Sequence, residues 1–386
     1  MTFENSEIIK LIPPILRKET LLENIVCTRP MREGKFNIGA ARVSGKTIIN
    51  CYGHGGAGFS IGFGSIEKAI SLLENEPDSK KKPIRVIGAG CIGLIAAIEL
   101  SRKGFVVSGI TAKEIYDLAS WRAGGYFALV SLKTSPEEQG NVDEMGILTF
   151  KTCQTIEKGL HPYLDKHFVR YMPVYCSQDT DHGLDVLEQR GVIPKKRDVT
   201  LDFGNGVVHP NFHEYMTYFM DTSLFMKRFH EELAHLHIPM EIREISSFDE
   251  VEEEIVFNAA GLGSRDLCQD QDLIPVRGHL VTLTPSSGKS HMDYMIFSKF
   301  YQDGKNETLY LFPKTSSVCS EHKKGVACHG VLGGTYISHA DLLSKEELER
   351  LDALEFKKLL DRNSLFYYGA PFEEIDQSFQ TGTVFS

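Results

Sequence analysis

Apolar residues recur along the chain either with the spacing of a strand or with that of a helix. The most informative stretch is one in which a strand pattern changes into a helical pattern. Residues 84–100, IRVIGAGCIGLIAAIEL, begin as a short apolar run, pass through three glycines and continue as an Ala- and Leu-rich helical pattern. This order predicts a strand, a tight turn and a helix. In a dinucleotide-binding turn of this spacing, Gly88 permits the turn, Gly90 lets a pyrophosphate approach the backbone, and Gly93 lets helix and strand pack closely. A glycine turn of purely structural use is the alternative.

The same two periods predict most of the remaining elements. Residues 6–16 have apolar positions at helical spacing and predict a helix that Pro13 and Pro14 stop. Strands are predicted at 24–28, 36–41, 47–51, 106–110, 241–245, 275–283 and 309–313, with a hairpin turn at 44–46. Helices are predicted at 66–75, 149–160, 221–236 and 342–363, the third with its N-cap supplied by residues 221–223 and the last opened by an SKEE capping box. The final residues, TGTVFS, are predicted to form a frayed strand.

A second glycine-rich segment precedes the helix at 66–75. Residues 52–65, YGHGGAGFSIGFGS, contain six glycines in fourteen positions. Backbone without side chains can lie close against a ligand, and the amides of the following helix can face an anion. The alternative is a flexible loop.

Composition and charge narrow the class of protein. With 386 residues, 42% of them hydrophobic, the chain can form two globular domains. The absence of an apolar stretch of about 20 residues argues against a membrane span. A net charge of −10 argues against nucleic acid as the main partner. Eight cysteines without metal-ligand spacing indicate reduced thiols in a cytoplasmic protein without a zinc site, and the histidines show no ligand pattern either.

Several motifs carry a resemblance to a known family. RPMREG at 29–34 and IINCYGHGGAGFSIGFG at 48–64 resemble the C-terminal signature of the D-amino-acid oxidase family of FAD enzymes, whereas residues 82–107 resemble that family's beginning. NAAGLGS at 258–264, PVRG at 275–278, YLFP at 310–313 and VLGGTY at 331–336 then follow in family order, with His279 where the family usually has glutamine. The chain thus resembles a circular permutant, joined through the charged linker 76–83.

The resemblance implies FAD as the cofactor and assigns residues to it. Thr111 takes the place of the acidic residue that usually holds the adenosine ribose, so either its hydroxyl or Glu114 is expected to substitute. The segment 120–129 resembles the loop beside the flavin ring. The full set of implied cofactor residues is Gly55, Gly58, Phe59, Ser60, Gly88, Gly90, Cys91, Ile92, Gly93, Thr111, Ala123, Gly124, Gly125, Ala259 and Gly261.

Four pocket positions follow from the same resemblance. Arg29 takes the carboxylate-clamp position, where a planar guanidinium can pair with both carboxylate oxygens and stays charged. Gly56 matches a glycine whose carbonyl accepts a hydrogen bond from the substrate amine, and Tyr310 matches a tyrosine whose hydroxyl assists the clamp. The family's second tyrosine falls on Asn306, so an altered or loose substrate preference is expected.

The resemblance implies an α/β fold in which a Rossmann-like FAD-binding domain is interleaved with a mainly antiparallel substrate-binding domain. The expected boundaries are 46–76, 84–134 and 217–270 for the FAD domain, 6–45, 135–216 and 271–338 for the substrate domain, and 339–386 for a C-terminal extension. Surface packing is the first expectation for this extension, with a lid over the pocket mouth or an oligomer contact as alternatives.

The function implied is oxidative deamination of a small D-amino acid. A hydride would pass from the alpha carbon to flavin N5, water would hydrolyse the imino acid, and oxygen would be reduced to hydrogen peroxide. One alternative is an FAD-dependent amine or glycine oxidase or dehydrogenase. Another is a non-catalytic, flavin-containing binding protein, which the departure at Asn306 favours. The expected partners are an amino acid and oxygen, and an oligomer is left open.

Overall fold

A computed structural model describes residues 6–284, 292–302, 304–315 and 329–381. Within these residues the strands are β1 Glu7–Lys10, β2 Leu21–Gly34, β3 Asn37–Val43, β4 Lys46–Tyr52, β5 Ile84–Ile87, β6 Val107–Ala112, β7 Lys133–Thr134, β8 Val169–Ser177, β9 Arg197–Asp202, β10 Val208–Met220, β11 Met240–Ile242, β12 Ile255–Asn258, β13 Leu273–Leu283, β14 Met295–Gln302, β15 Lys305–Pro313, β16 Gly330–Gly333 and β17 Ile337–Ser338. The helices are α1 Gly58–Glu74, α2 Cys91–Arg102, α3 Ala119–Arg122, α4 Gln139–Glu157, α5 Asp185–Gln189, α6 Thr222–His235, α7 Ser264–Leu267, α8 Lys345–Tyr368 and α9 Phe372–Thr381.

The smaller sheet carries the two predicted dinucleotide turns. Its six strands have the order β11-β6-β5-β12-β4-β3, and all neighbours are parallel except the β3–β4 hairpin. The short central strands β5 and β12 are apolar because helices cover one face of the sheet and a cluster around Phe248 and Val256 covers the other. Since β5 and β12 are parallel neighbours, the turns that follow them emerge side by side at one edge.

In the part of the chain that the structure describes, the larger sheet contains eleven strands and is mainly antiparallel. Its longest pair joins β13 to β2 and places Arg29 opposite Val276 and Cys27 opposite Gly278. Strands β15 and β16 are also paired, with Tyr310 opposite Gly333. The sheet therefore brings Arg29 and Tyr310, which are far apart in sequence, into one surface.

The sequence-based expectations for the fold class are confirmed: a Rossmann-like sheet is interleaved with a mainly antiparallel one. The predicted hairpin at 44–46, the Asp221 cap of α6 and the Ser344 capping box of α8 are also present. The domain boundaries stay a prediction, although β3, which they assign to the substrate domain, hydrogen-bonds to β4 in the smaller sheet.

Two local predictions were wrong. Residues 6–16 contain strand β1 and no helix, because β1 pairs in parallel with the edge strand β9, and that pairing outweighs a weak helical pattern. Helix α1 begins at Gly58 and not at residue 66. A Cβ at Gly64 would lie 2.3 Å from the carbonyl oxygen of Met145, so this glycine allows α1 and α4 to approach closely. Of the predicted C-terminal strand, residues 382–386 lie outside the described residues.

The C-terminal extension packs against the larger sheet. Phe366 and Tyr367 of α8 and Phe372 of α9 belong to a buried cluster with residues of β9, β10 and β15. Arg362 is buried and donates to the carbonyl oxygen of Thr308 at 2.6 Å. Residues of the extension therefore contribute to the hydrophobic core of the larger sheet.

Candidate active site

A cavity of about 890 Å³ is lined by residues of both sheets. Every implied cofactor residue except Gly93 lines it: Gly55, Gly58, Phe59, Ser60, Gly88, Gly90, Cys91, Ile92, Thr111, Ala123, Gly124, Gly125, Ala259 and Gly261. Arg29, Gly56 and Tyr310 line the same cavity, whereas Asn306 does not. The folded chain therefore brings the dinucleotide turns and three of the four predicted pocket residues together.

The first glycine turn has the geometry that its spacing predicts. Gly88 has a φ of +106°, and a Cβ there would lie 2.2 Å from the carbonyl oxygen of Ala259 in the neighbouring turn. A Cβ at Gly93 would lie 2.0 Å from the carbonyl oxygen of Gly88, so Gly93 acts from behind the cavity by letting helix and turn touch. At Gly90 the nearest atom to a Cβ would be Ser120 Oγ at 3.4 Å. The backbone at Gly90 is thus open to a ligand.

The N-terminus of α2 begins at this turn and lines the cavity. Its N-cap is Gly90, which has no side chain to occupy the first amides, and the Cys91 N–H donates to Ser120 Oγ at 3.0 Å. The N–H groups and the dipole of a helix N-terminus favour a negative group at such a position. Ser120 was not predicted individually, although it opens the glycine-containing segment 120–129. Its hydroxyl lines the cavity beside the amides.

At the end of β6 the two expected substitutes for a ribose-binding carboxylate differ in position. Thr111 is buried and its Oγ1 donates to Glu241 Oε2 at 3.2 Å. Glu114 Oε1 accepts backbone N–H groups from the next three residues, and these bonds lower the pKa of the Glu114 carboxyl. Both residues line the cavity, so the choice between them stays open.

The same cavity is also lined by a buried cation, Arg29. Arg29 Nη1 donates to the carbonyl oxygen of Thr335 at 3.2 Å, and the Tyr310 phenol lies near enough to interact electrostatically with the guanidinium. Among the described residues no carboxylate makes an ion pair with Arg29. Burial raises the pKa of Tyr310 to about 12, against the opposing effect of Arg29, so the phenol stays protonated at neutral pH. A guanidinium and a protonated phenol are both hydrogen-bond donors of the kind that a carboxylate accepts from.

Two glycines make room for these side chains. A Cβ at Gly278 would lie 2.6 Å from Arg29 Nη1, and a Cβ at Gly333 would lie 2.1 Å from Cζ of Tyr310. Arg29 therefore lies on the glycine of the PVRG motif, and Tyr310 lies on a glycine of VLGGTY. The role of these two glycines could not be predicted from the motifs, because each contact joins residues of two different strands.

Gly56 connects the glycine-rich segment to Arg29. Its N–H donates to the carbonyl oxygen of Ser131 at 3.0 Å, and a Cβ there would lie 2.3 Å from Ser131 Oγ and 3.5 Å from Arg29 Cδ. In contrast, Asn306 is exposed near the tip of the β14–β15 hairpin, opposite Tyr301. The interpretation of Asn306 as a pocket residue is corrected, because the strand carries it past the cavity.

Aromatic side chains form the wall next to Tyr310. The rings of Tyr310 and Phe312 stack at 4.4 Å between centroids, and Tyr126 lies 5.1 Å from Phe312 and 5.5 Å from Phe297. A Cβ at Gly124 would lie 2.8 Å from Phe312, so the predicted flavin-side loop contacts this wall. The wall gives the cavity an apolar, water-poor surface beside Tyr310.

Among residues 6–284, 292–302, 304–315 and 329–381, no three or more His, Cys, Asp or Glu side chains are grouped as metal ligands. None of the helices in these ranges is both long enough and apolar enough to cross a bilayer.

The sheet, the paired turns and the cavity define a dinucleotide-binding protein. A family model described as FAD dependent oxidoreductase (DAO) matches residues 84–362. Because this match covers more than half of the chain, the protein belongs to that family. The sequence-based assignments of the family, of FAD as cofactor and of an FAD-dependent oxidoreductase are thereby confirmed.

Comparisons with individual proteins are more distant. The chain is similar to a D-amino acid oxidase of Dugesia ryukyuensis, at 39% identity over 59 residues, which is 14% of this chain and 18% of the relative. The match thus spans less than a fifth of that relative.

The chain is also similar, at low sequence identity, to proteins of known structure. They include an L-amino acid deaminase from Proteus vulgaris at 13% identity, with a TM-score of 0.41 and coverage of 72% of this chain and 65% of that one. Its variant without the specific insertion sequence has 15% identity, a TM-score of 0.44, and coverage of 73% and 74%. The fructosamine oxidase Amadoriase II from Aspergillus fumigatus has 16% identity, a TM-score of 0.40, and coverage of 73% and 71%.

Proposed function

We propose that the protein catalyses FAD-dependent oxidative deamination of a small D-amino acid, with oxygen as the final electron acceptor. The observation that carries this proposal is one cavity that is lined both by the first turn of α2 and by Arg29 with Tyr310, where no carboxylate of the described residues pairs with Arg29. The first feature suits a dinucleotide and the second suits the carboxylate of an amino acid.

The residues present fit FAD. A volume of about 890 Å³ lies in the upper part of the range of about 300–1,000 Å³ that small-molecule sites occupy. The open backbone at Gly90 and the amides of α2 would hold the pyrophosphate, and Ala123 to Gly125 would lie beside the ring. Bound FAD would supply the two-electron acceptor that the side chains of a protein lack.

The substrate would be held by its carboxylate and its amine. Arg29 would pair with both carboxylate oxygens, and the Tyr310 hydroxyl, which stays protonated, would donate to the same carboxylate. The carbonyl oxygen of Gly56 would accept from the amine and hold it near the clamp. These contacts would fix the alpha carbon in one orientation, which lowers the entropic cost of reaction.

Fewer observations support the proposed preference for a small D-amino acid. The short match to a D-amino acid oxidase supports it, and the aromatic wall of Tyr126, Phe297 and Phe312 leaves an apolar surface for a side chain. An FAD-dependent amine or glycine oxidase or dehydrogenase would use the same cofactor site, but an amine without a carboxylate would leave Arg29 without a partner. The non-catalytic alternative loses its supporting observation, because Asn306 lies outside the cavity.

The position of residues 6–76 supports the inference that the chain is a circular permutant. The family match begins at residue 84, at strand β5, while β4 and α1 precede it in sequence. In the fold β4 pairs with β12, and α1 packs against α2. The early residues therefore complete the sheet and the cavity, as a displaced C-terminal segment would.

The test is a screen of D- and L-amino acids with the flavin-loaded protein and detection of hydrogen peroxide. Arg29→Ala should raise KM strongly, since a hydrogen bond to a charged group is worth about 1.5–3 kcal/mol, while flavin content stays unchanged. Arg350→Ala, at an exposed arginine of α8, is the matched control. Wild-type kinetics in Arg29→Ala would place the substrate carboxylate elsewhere, and a flavin-loaded protein that oxidises no amino acid would contradict the function.

A further inference from the structure

The C-terminal helix α8 is joined to the carboxylate site by a continuous chain of hydrogen bonds. Asp352 on α8 faces β13, where Arg277 donates to it through two nitrogens at 2.8 and 2.5 Å. His279 Nε2 contacts the same carboxylate at 2.8 Å. The helix is thus held by two side chains of the strand that also carries Gly278 under the Arg29 guanidinium.

The second half of the chain runs through Thr335. The backbone N–H of His279 donates to Thr335 Oγ1 at 2.6 Å, and His279 Nδ1 lies 3.0 Å from the same hydroxyl. The carbonyl oxygen of Thr335 accepts from Arg29 Nη1 at 3.2 Å. Thr335 and His279 are both buried, so few competing contacts are available to either.

One assignment of protons satisfies every member of this chain. If His279 carries its proton on Nε2, it donates to Asp352, and Nδ1 accepts the Thr335 hydroxyl proton. The Thr335 oxygen then accepts only the backbone N–H of His279. Arg277 lowers the pKa of the Asp352 carboxyl, with burial opposing and His279 reinforcing, so Asp352 remains an anion at neutral pH and keeps this arrangement.

We propose that Asp352 and His279 are positioning residues for Arg29 and that α8 thereby sets the geometry of the carboxylate site. His279 has no contact with the cavity, so it acts through Thr335, whose carbonyl fixes one nitrogen of the guanidinium. This inference rests on the proposed role of Arg29 as the substrate clamp. It gives the C-terminal extension a part in substrate affinity beyond surface packing.

The sharpest variant is His279→Phe in the flavin-loaded protein. Phenylalanine keeps the ring volume and the contact with Phe356, 5.0 Å away between centroids, but removes the side-chain bonds to Thr335 and Asp352. We expect the dissociation constant of acetate, followed by the change in flavin absorbance, and the KM for the best amino acid to rise about three- to tenfold, with kcat within about twofold. Glu349→Gln, at an exposed position of the same helix, should change neither.

A double-mutant cycle separates positioning from general damage. In an Arg29→Ala background, His279→Phe should add no further loss of acetate affinity, because the residue through which it acts is gone. Additive losses, or unchanged acetate binding in folded, flavin-loaded His279→Phe, would overturn the inference. So would failure of the wild-type protein to bind acetate.

The same measurements distinguish this inference from the proposed function. If acetate binding depends on Arg29 and His279 in the cycle but no amino acid is oxidised, the proposed function fails and the positioning role stands. Melting temperatures of all variants, measured with flavin bound, show whether a loss of affinity reflects unfolding. Asp352→Asn offers a second test, because its amide oxygen can still accept from His279, and acetate affinity should then fall less than in His279→Phe.

Discussion

Gly278→Ala places a methyl group against the substrate clamp while leaving the clamp residue in place. An alanine Cβ would lie 2.6 Å from Arg29 Nη1, 2.7 Å from Nη2 and 2.8 Å from Cζ. Gly278 is not among the residues with positive φ, so its backbone accepts alanine. Ordinary contact begins near 3.4 Å, and the guanidinium must therefore move by roughly 0.8 Å.

The expected effect is large on substrate affinity and limited on folding. A displacement of about 1 Å at a reacting site can cost about 100-fold, and a charged hydrogen bond is worth about 1.5–3 kcal/mol. We therefore expect KM for the amino acid to rise about 10- to 100-fold. The methyl group meets the end of a flexible side chain and no backbone, so the free energy of unfolding should fall by no more than about 1–3 kcal/mol, the usual cost of an added methyl group in a packed interior.

Steady-state kinetics, flavin absorbance and a melting curve test this prediction. Gly39→Ala on β3 is the matched control, because the nearest atom to its Cβ would be Asn37 Oδ1 at an ordinary 3.5 Å. If Gly278→Ala keeps the wild-type KM with a full complement of flavin, the substrate carboxylate does not depend on the position of the Arg29 guanidinium. An equal rise in KM in Gly39→Ala would show that the effect is not local.

Three further outcomes are expected. Gly93→Val should lower flavin content, because its Cβ would lie 2.0 Å from the Gly88 carbonyl oxygen; normal flavin absorbance would contradict the close packing. Asp352→Asn should lower stability by about 1–2 kcal/mol at pH 7. Arg277 depresses the pKa of Asp352 below its ordinary 3.8, so the extra stability of the wild type over Asp352→Asn is complete above pH 3.8 and is lost as the pH falls through the folded-state pKa. Melting curves at several pH values measure this dependence. A stability difference that persists in acid would show that it does not come from the ionised Asp352 carboxylate. Deleting residues 1–83 removes β4, which pairs with β12, and should give insoluble or flavin-free protein; a soluble, yellow truncation would argue against the permutation.

Local sequence was sufficient where one segment carries its own geometry. The strand, turn and helix at residues 84–100 could be predicted because the spacing of the glycines and the apolar pattern lie within one segment, and Gly93 contacts Gly88 five residues away. The Asp221 and Ser344 caps were predictable for the same reason, since a cap and its amides lie within one turn. The resemblance to the FAD family added Arg29 and Tyr310, which spacing alone does not connect.

The early part of α1 shows why a local pattern misleads. Glycines at positions 62 and 64 predict a loop by propensity, since glycine destabilises a helix by about 1 kcal/mol relative to alanine. In the fold Gly64 lies against the backbone of Met145, where any side chain would clash. The helix therefore begins at Gly58 because packing against α4 compensates for the poor propensity.

The carboxylate site depends on contacts that only the tertiary structure creates. Arg29 meets Gly278 because β2 pairs with β13 in one register, and a shift of a single residue would turn every side chain to the other face. The position of Asn306 also depends on strand pairing, because the length of the β14–β15 hairpin places this residue outside the cavity. The amino-acid sequence by itself determined the dinucleotide turn and the kind of residues available for a substrate. Strand register and helix docking decided which of those residues meet, because these distances depend on hydrogen bonds between segments up to hundreds of residues apart.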